Sequence, residues 1–275
     1  GQARGQREAA DPGPAPSHLR ARPSMILAIA NQKGGVGKTT TAINLGAALA
    51  EQGRHVLLVD MDPQGALSVG LGLNPLGLER TVYNLLMDPK ADAEESIERT
   101  KQDRLDLLPS NIDLAAAEVM LVGEVAREQA LSRVLRVLRK RYDYILIDCP
   151  PSLGLLTVNA LTAADGVLIP LECEYFALRG MALLMDTIEK VQERLNPDLE
   201  IVGILATMYD SRTVHGREVL GRVEDAFGGH VFRTIIAKTI RFAEAPVAGE
   251  SILSYAGSSS GAVAYRELAK EVLAS

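Results

Sequence analysis

One stretch near the start of the chain, KGGVGKTT at residues 33–40, constrains the fold more than any other. The apolar run 25–30 before it predicts a short buried strand, and the apolar spacing of residues 41–51 after it predicts a helix that stops at Gly53. Glycines let the backbone curl tightly and expose successive N–H groups, while a helix N-terminus adds a positive dipole end. A strand, a glycine-rich turn and a helix together predict a phosphate-binding loop.

Two lysines lie in this loop, and they have different expected tasks. Lys38 can reach the β- and γ-phosphates of a nucleotide, and the hydroxyl of Thr39 can hold Mg²⁺. The usual pattern has a glycine five residues before Gly37, but here Gln32 stands there and Lys33 follows. Lys33 is either one more cation near phosphate or a charge that crosses to another subunit's nucleotide. Spacing alone leaves both interpretations open.

Two further apolar strands end in carboxylates. The run 55–60 predicts a strand that ends at Asp60, with Asp62 just beyond, and the run 144–148 predicts one that ends at Asp148. Ligands of parallel α/β sheets bind at the carboxyl ends of the strands. Aspartates at such ends suit Mg²⁺ and water, although Asp60 and Asp62 could also be turn-forming or helix-capping residues. Downstream of a phosphate loop we favour the functional interpretation, and Asp148 resembles the acid of a Walker B strand.

The rest of the pattern alternates strands with helices, which predicts a doubly wound, mostly parallel α/β sheet with helices on both faces. Further strands are expected at residues 105–109, 166–172, 201–208 and 231–236. Further helices are expected at residues 81–87, 111–121, 124–141, 155–163, 177–195, 213–227 and 259–273. The domain prediction is a disordered tail at residues 1–24, rich in Gly, Pro, Ala and charge, followed by one domain at residues 25–275.

Composition limits the classes of partner. The chain has 275 residues and a net charge of −6, so it has no overall attraction to nucleic acid or anionic lipid. Any DNA contact must come from a local basic patch, such as the one that Lys238 and Arg241 could form in a loop after a strand. The denser basic run 133–141 is better explained as a solvated helix face. Two cysteines, Cys149 and Cys173, form no disulfide framework and favour a reducing cytoplasm.

Several motifs together carry a family resemblance. The stretches VLLVDMDPQG, YDYILIDCPPSLGLLTVNAL, ECEYFALRG and IRFAEAP, with the phosphate loop, resemble the ParA/Soj chromosome-partitioning ATPases, a deviant Walker A group of P-loop ATPases. The resemblance covers residues 25–275. It implies that ATP and Mg²⁺ bind, that two ATP-bound subunits form a homodimer, and that the dimer binds DNA without sequence preference. It further implies slow hydrolysis, stimulated by a centromere-binding ParB-type partner, in the cytoplasm at the nucleoid.

The resemblance also implies roles for individual residues. The nucleotide-binding residues would be Lys33, Gly34, Gly35, Val36, Gly37, Lys38, Thr39, Thr40, Met208 and Pro246, the last two near the adenine. The catalytic residues would be Lys33, Lys38 and Asp62, with Asp62 positioning or deprotonating the attacking water. Mg²⁺ would be held, partly through water, by Thr39, Asp60 and Asp148. DNA would be contacted by Arg217, Lys238 and Arg241.

One departure affects the DNA assignment. Relatives often carry Pro-Arg-Asn where this chain has Ala237, Lys238 and Thr239. Lysine keeps the positive charge but loses the bidentate geometry with which arginine binds phosphate.

Three other functions are alternatives to chromosome partitioning. A membrane-positioning ATPase similar to MinD would end in a basic amphipathic helix, but the charges of residues 265–275 balance and no Phe or Trp anchor is present, so no membrane partner is expected. An iron–sulfur reductase would need cluster cysteines, and only two thiols are available. A ParA-like ATPase that positions another cargo shares all the motifs and stays open.

Overall fold

A computed structural model describes residues 24–174 and 177–275 of the chain. Its centre is an eight-stranded sheet in the order β3-β4-β2-β5-β1-β6-β7-β8. The strands are β1 Met25–Ile29, β2 Val56–Asp60, β3 Glu98–Arg99, β4 Leu105–Leu108, β5 Tyr144–Asp148, β6 Gly166–Glu172, β7 Glu200–Tyr209 and β8 Val231–Ala237. All neighbours pair in parallel except β3, which runs antiparallel to β4 at one edge. The predicted doubly wound, mostly parallel sheet is confirmed.

Helices cover both faces of this sheet. They are α1 Lys38–Glu51, α2 Ala66–Gly70, α3 Val82–Met87, α4 Leu114–Met120, α5 Ala130–Leu138, α6 Leu155–Ala163, α7 Ala177–Arg194, α8 Val214–Phe227, α9 Arg241–Val247, α10 Ile252–Tyr255 and α11 Ser260–Ala274. Alternate side chains of β1 enter different cores: Leu27 packs with residues of α1 and α11, whereas Ile26 packs with residues of α5, α6 and α7. β1 is therefore buried on both faces, as central parallel strands are.

The last helix belongs to one of these cores. Tyr265 of α11 is fully buried, and its hydroxyl lies 3.1 Å from the hydroxyl of Thr41 on α1. Leu268, Ala269 and Val272 are buried with it. The residues that the structure describes include no helix with the length and apolar character needed to cross a bilayer.

Most predicted elements agree with the structure, but several boundaries were wrong. The first helix begins at Lys38, three residues before the expected start at 41, because Gly37 adopts a left-handed conformation (φ 86°) and serves as its N-cap. The helices expected at 111–121 and 124–141 are shorter. Residues 121–123 and 127–129 form 3₁₀ turns, and Ala126 has φ 55° between them.

Short elements were missed altogether. The sequence predicted none of the helices α2, α9 and α10. Arg241 was predicted to lie in a loop, whereas it is the first residue of α9. The two-residue strand β3 lies in a stretch for which the sequence predicted no strand. The predicted tail, apart from Ser24, and Tyr175 and Phe176 of the family motif lie outside the described residues. The division of the chain at residue 24 stays a prediction.

Parallel pairing brings the carboxyl ends of seven strands to one edge of the sheet. The phosphate-loop segment follows β1 in the middle, with the ends of β5 and β2 on one side and those of β6, β7 and β8 on the other. Side chains that are far apart in sequence meet at this edge, which is where such sheets bind ligands.

Candidate nucleotide site

The glycine-rich turn after β1 has the backbone that an anion cradle needs. Gly35 (φ 77°) and Gly37 (φ 86°) lie in the left-handed region, which residues with a Cβ rarely adopt. Helix α1 starts directly after Gly37, and its first turn contains no acidic residue. Its free N–H groups and dipole are therefore available to a negative ligand.

Lys38 lies inside this turn. Its ammonium donates to the carbonyl oxygen of Lys33 at 2.8 Å, and the residue is only 7% exposed. Burial lowers the pKa of Lys38, while the nearby negative charges of Asp148 and Asp62 act in the opposite direction. A cation held in a glycine turn at a helix N-terminus is placed to bind phosphate oxygens.

Asp148 and Thr39 form the best candidate for a metal site. The hydroxyl of Thr39 donates to Oδ2 of Asp148 at 2.7 Å. The other carboxylate oxygen, Oδ1, is buried and has no hydrogen-bond partner among the described residues. Burial, followed by the charge of Asp60, raises the pKa of Asp148 well above its usual value. An unsatisfied buried carboxylate oxygen beside a hydroxyl fits Mg²⁺, which prefers oxygen ligands and retains several waters.

Asp60 has a different environment from Asp148. It is fully buried, and its carboxylate accepts from Ser68 N–H (3.0 Å), Ser68 Oγ (2.7 Å) and Asp62 N–H (3.1 Å). Burial raises the pKa of Asp60 to about 7. Both carboxylate oxygens already hold the loop that follows β2. The geometry therefore gives Asp60 a role in fixing that loop, whereas its predicted place on the metal remains untested.

Asp62 lies on the loop that Asp60 fixes. Its Oδ1 accepts from Gln64 N–H at 2.9 Å, and the side chain is partly exposed. Its backbone carbonyl accepts from the hydroxyl of Ser110 at 2.9 Å. The loop is thus tied to the ends of both β2 and β4, with the Asp62 carboxylate left near Lys38 and Asp148.

Lys33 extends away from Lys38, towards the end of β6. Its ammonium lies 3.1 Å from Oε2 of Glu172 and 2.5 Å from Oε2 of Glu174. The side chain is 43% exposed. The two lysines of the loop are therefore distinct in this structure, with one buried in the turn and the other at the surface between two acids of its own chain.

Two residues that the sequence reading missed support the loop. Thr207, on β7, donates its hydroxyl to the carbonyl of Val36 at 2.7 Å. Asn31 accepts from the N–H of Lys33 at 3.0 Å and donates to the carbonyl of Pro170 at 2.8 Å. For Asn31 the sequence offered one signal, a polar residue directly after the apolar run 25–30. Thr207 lies 171 positions from Val36, and no local pattern marks it.

The two residues predicted near the adenine lie on different elements. Met208, near the end of β7, has φ 50°, a strained value for a residue with a side chain. Pro246 lies within α9, and a Cβ added to Gly70 of α2 would be 3.6 Å from its Cβ. Met208 thus follows the strand residue that supports the phosphate loop, and Pro246 packs near α2. Adenine contact by either residue stays a prediction.

The three predicted DNA-contacting residues are all exposed and lie after β7 or β8. Arg217 of α8 donates to the carbonyl of Ser211 at 2.6 Å, and Arg241 pairs with Glu244 at 3.0 Å. Lys238 follows β8 directly, and its positive charge helps to lower the pKa of Glu174 and Asp210. These cations share the strand-end edge with the phosphate loop, and DNA contact by them stays a prediction.

Comparisons with known proteins agree with this geometry. A profile of the AAA domain family matches residues 24–201. Sporulation initiation inhibitor protein Soj of Bacillus subtilis is 51% identical over 90% of this chain and 98% of its own. Chromosome partitioning protein ParA of Caulobacter vibrioides is 47% identical over 93% of this chain and 96% of its own.

Solved structures are similar as well. Cobyrinic acid a,c-diamide synthase of Mycobacterium smegmatis, in a crystal structure with ADP and magnesium, has a TM-score of 0.80 at 47% identity. The match covers 91% of this chain and 94% of that one. The same protein has also been solved with an ATP analogue and magnesium.

Proposed function

Because this chain belongs to the ParA/Soj family of chromosome-partitioning ATPases, we propose that it is an ATP-gated switch for DNA segregation. ATP and Mg²⁺ bind at the loop 33–40, two ATP-bound subunits form a homodimer, and the dimer binds DNA without sequence preference. Slow hydrolysis, stimulated by a centromere-binding ParB-type partner, returns it to a monomer in the cytoplasm. The observation that carries the nucleotide part is the unsatisfied buried Oδ1 of Asp148 beside Thr39 and Lys38.

The proposed chemistry is in-line attack of water on the γ-phosphate, with catalysis by positioning and charge neutralisation. Thr39 and Asp148 would hold Mg²⁺, Asp148 through water, and the bound ion would supply neutralisation of phosphate charge. Lys38 binds the same oxygens from inside the turn, and Asp62 positions or deprotonates the attacking water. Asp60 keeps the Asp62 loop in place through Ser68.

Because the chain is acidic overall, its binding to DNA must depend on a local group of positively charged side chains. The net charge is −6, so attraction to DNA comes from Arg217, Lys238 and Arg241 rather than from the molecule as a whole. One subunit offers few phosphate contacts, and a dimer doubles them on one rigid body. DNA affinity therefore depends on dimerisation, and through it on ATP.

The deciding experiment measures DNA binding by gel shift with ATP, with ADP and without nucleotide, across a salt series. We expect binding with ATP only, lost as salt rises and lost in Lys33→Ala. Glu95→Gln, far from the loop and paired with Arg80, is the matched surface control and should bind as the unmodified chain does. ATP hydrolysis without DNA binding under any nucleotide would contradict the segregation proposal and leave only an ATPase.

Two alternatives are separated by simple controls. A MinD-like membrane role needs a free amphipathic helix, but Tyr265, Leu268 and Val272 of α11 are buried in the core that α11 shares with α1. Flotation with anionic liposomes should therefore leave the protein at the bottom of the gradient, with or without ATP.

The name of the similar M. smegmatis protein denotes amide synthesis. If ATP turnover by this chain required cobyrinic acid and an ammonia donor, amide synthesis would replace partitioning as the proposed function.

A further inference from the structure

The contact between Lys33 and two acids joins neighbouring strands at the edge that carries the nucleotide site. Glu172 is the last residue of β6, Glu174 lies two positions later, and β6 pairs directly with β1. Lys33 Nζ contacts Oε2 of both acids, at 3.1 Å and 2.5 Å. One ammonium thus has two carboxylate partners, both from its own chain.

The charged groups of this cluster act on one another. Desolvation disfavours the charged lysine, but the hydrogen bonds and charges of the two acids raise the pKa of Lys33 overall. Lys33 in turn lowers the pKa of Glu174. Glu172 is only 23% exposed, so its bond with Lys33 is screened less than an ordinary surface pair. Two carboxylates surround one ammonium, so the cluster has one excess acidic side chain.

Such a cluster competes with phosphate for the lysine. The ammonium that would neutralise a γ-phosphate on a second subunit is already bound by carboxylates of its own subunit. Two carboxylates also form a negative rim that repels an approaching phosphate until Lys33 moves. Lys33 can bind across a dimer interface only after these two contacts break.

We propose that Glu172 and Glu174 are positioning residues that hold Lys33 on its own subunit, and that they thereby set the ATP concentration at which two subunits associate. This inference rests on the proposed ATP-dependent dimer. A phosphate from the facing subunit displaces the two acids, so dimerisation takes place only when that nucleotide carries a γ-phosphate. After displacement, Lys238, whose charge already acts on Glu174, is a neighbouring cation for the released acids.

The first test asks whether the hold on Lys33 exists, and it needs no dimer. Amine acylation of the full chain without nucleotide is quantified at Lys33 by mass spectrometry in the unmodified protein and in Glu172→Gln/Glu174→Gln. The double variant should label several-fold faster at Lys33, because its amine loses two carboxylate partners and its pKa falls. Glu94→Gln/Glu95→Gln removes two acids paired with Arg141 and Arg80, and should leave Lys33 labelling unchanged.

The second test asks whether the contacts of Glu172 and Glu174 with Lys33 change the nucleotide concentration needed for dimer formation. Dimer formation is followed by sedimentation against the concentration of a non-hydrolysable ATP analogue with Mg²⁺. Loss of these partly exposed ion pairs should lower the concentration at half-dimerisation by about three- to tenfold. Glu174→Asp, which keeps the charge on a shorter side chain, should lie between the unmodified chain and the double variant. The Glu94/Glu95 control should not shift the curve.

The outcomes separate this inference from the proposed function. Equal Lys33 labelling in all variants would show that Glu172 and Glu174 do not restrain Lys33, whatever the result of the dimerisation measurement. A higher nucleotide requirement in the double variant would overturn the restraining role, since the acids would then prepare Lys33 for use. If the unmodified chain stays monomeric at saturating analogue, the ATP-gated dimer is wrong, and the role of the acids in setting its threshold is wrong with it.

Discussion

The phosphate loop and the basic surface beyond β7 and β8 lie at the same edge of the sheet, yet their cations are held in opposite ways. Lys38 is 7% exposed and enclosed by a turn that residues of β5 and β7 support. Arg217 and Arg241 are exposed, and each has a contact with its own segment, to Ser211 and Glu244. The first region places one charge in a fixed position, whereas the second offers several charges to solvent.

The difference predicts how each region responds to substitution. A buried charge in a preorganised site acts at low dielectric, so removing one group abolishes most of the effect. Exposed charges act as a sum in water and are screened by salt, so each one contributes little. Substitutions should therefore fall into two classes, one with large losses of ATP chemistry and one with small, salt-dependent losses of DNA affinity.

The largest effect is expected from Lys38→Ala. The alanine removes the cation that we propose to bind the phosphates, and ATP hydrolysis should fall by about 10²–10³-fold, the usual loss for a preorganised charge-stabilising donor. Steady-state phosphate release measures it. Lys238→Ala removes the same charge from the exposed region and should hydrolyse ATP at the unmodified rate. Equal losses in the two variants would mean that the two regions do not differ as described.

Asp148→Asn comes next. Asparagine keeps an acceptor for the Thr39 hydroxyl but removes the negative charge that would bind the waters of Mg²⁺. Changes to such indirect metal partners cost about 10–100-fold in metal affinity or activity. A titration of ATPase rate against Mg²⁺ should show a higher requirement. Asp165→Asn, which affects an ion pair with Arg139 at the opposite ends of the strands, is the control, and its Mg²⁺ curve should be unchanged.

The two regions also differ in how far the sequence could predict them. The loop 33–40, the strand ending at Asp148 and the parallel sheet could be predicted because strand, turn and helix signals are local. The contacts of Lys33 with Glu172 and Glu174 could not, since they span 139 and 141 positions and depend on β1 pairing with β6. The helices α2, α9 and α10, of four to seven residues, are too short to show a helical period.

A smaller effect is expected from Thr207→Val, which tests how β7 supports the phosphate loop. Valine keeps the shape but leaves the carbonyl of Val36 without its donor, and burial of that unsatisfied group should cost about 1–3 kcal/mol of stability. Urea unfolding measures the loss, and the KM for ATP should rise a few-fold. Thr207→Ser retains the hydroxyl and should restore both values. If the valine variant has unchanged stability and KM, the loop does not depend on β7.

The smallest effects are expected from single changes in the basic surface. Each exposed cation that contacts a phosphate contributes about one unit to the slope of log affinity against log salt. Lys238→Ala and Arg241→Ala should each reduce that slope by about one per subunit and weaken ATP-dependent DNA binding a few-fold. Arg233→Ala removes an arginine of β8 that is more exposed than Arg241 (93% against 50%) and lies 3.8 Å from Glu271, and it should leave the slope unchanged.

This last comparison distinguishes a specific surface from net charge alone. If all three variants reduce the slope equally, DNA responds to the total charge of the chain, and the placement of the patch at the strand ends is wrong. If only Lys238→Ala and Arg241→Ala reduce it, DNA lies along the edge that also carries the phosphate loop. Lys238 would then act on both DNA and Glu174, so breaking the hold on Lys33 should also change the salt slope. Measurement of that slope in Glu172→Gln/Glu174→Gln would show whether the two regions act independently.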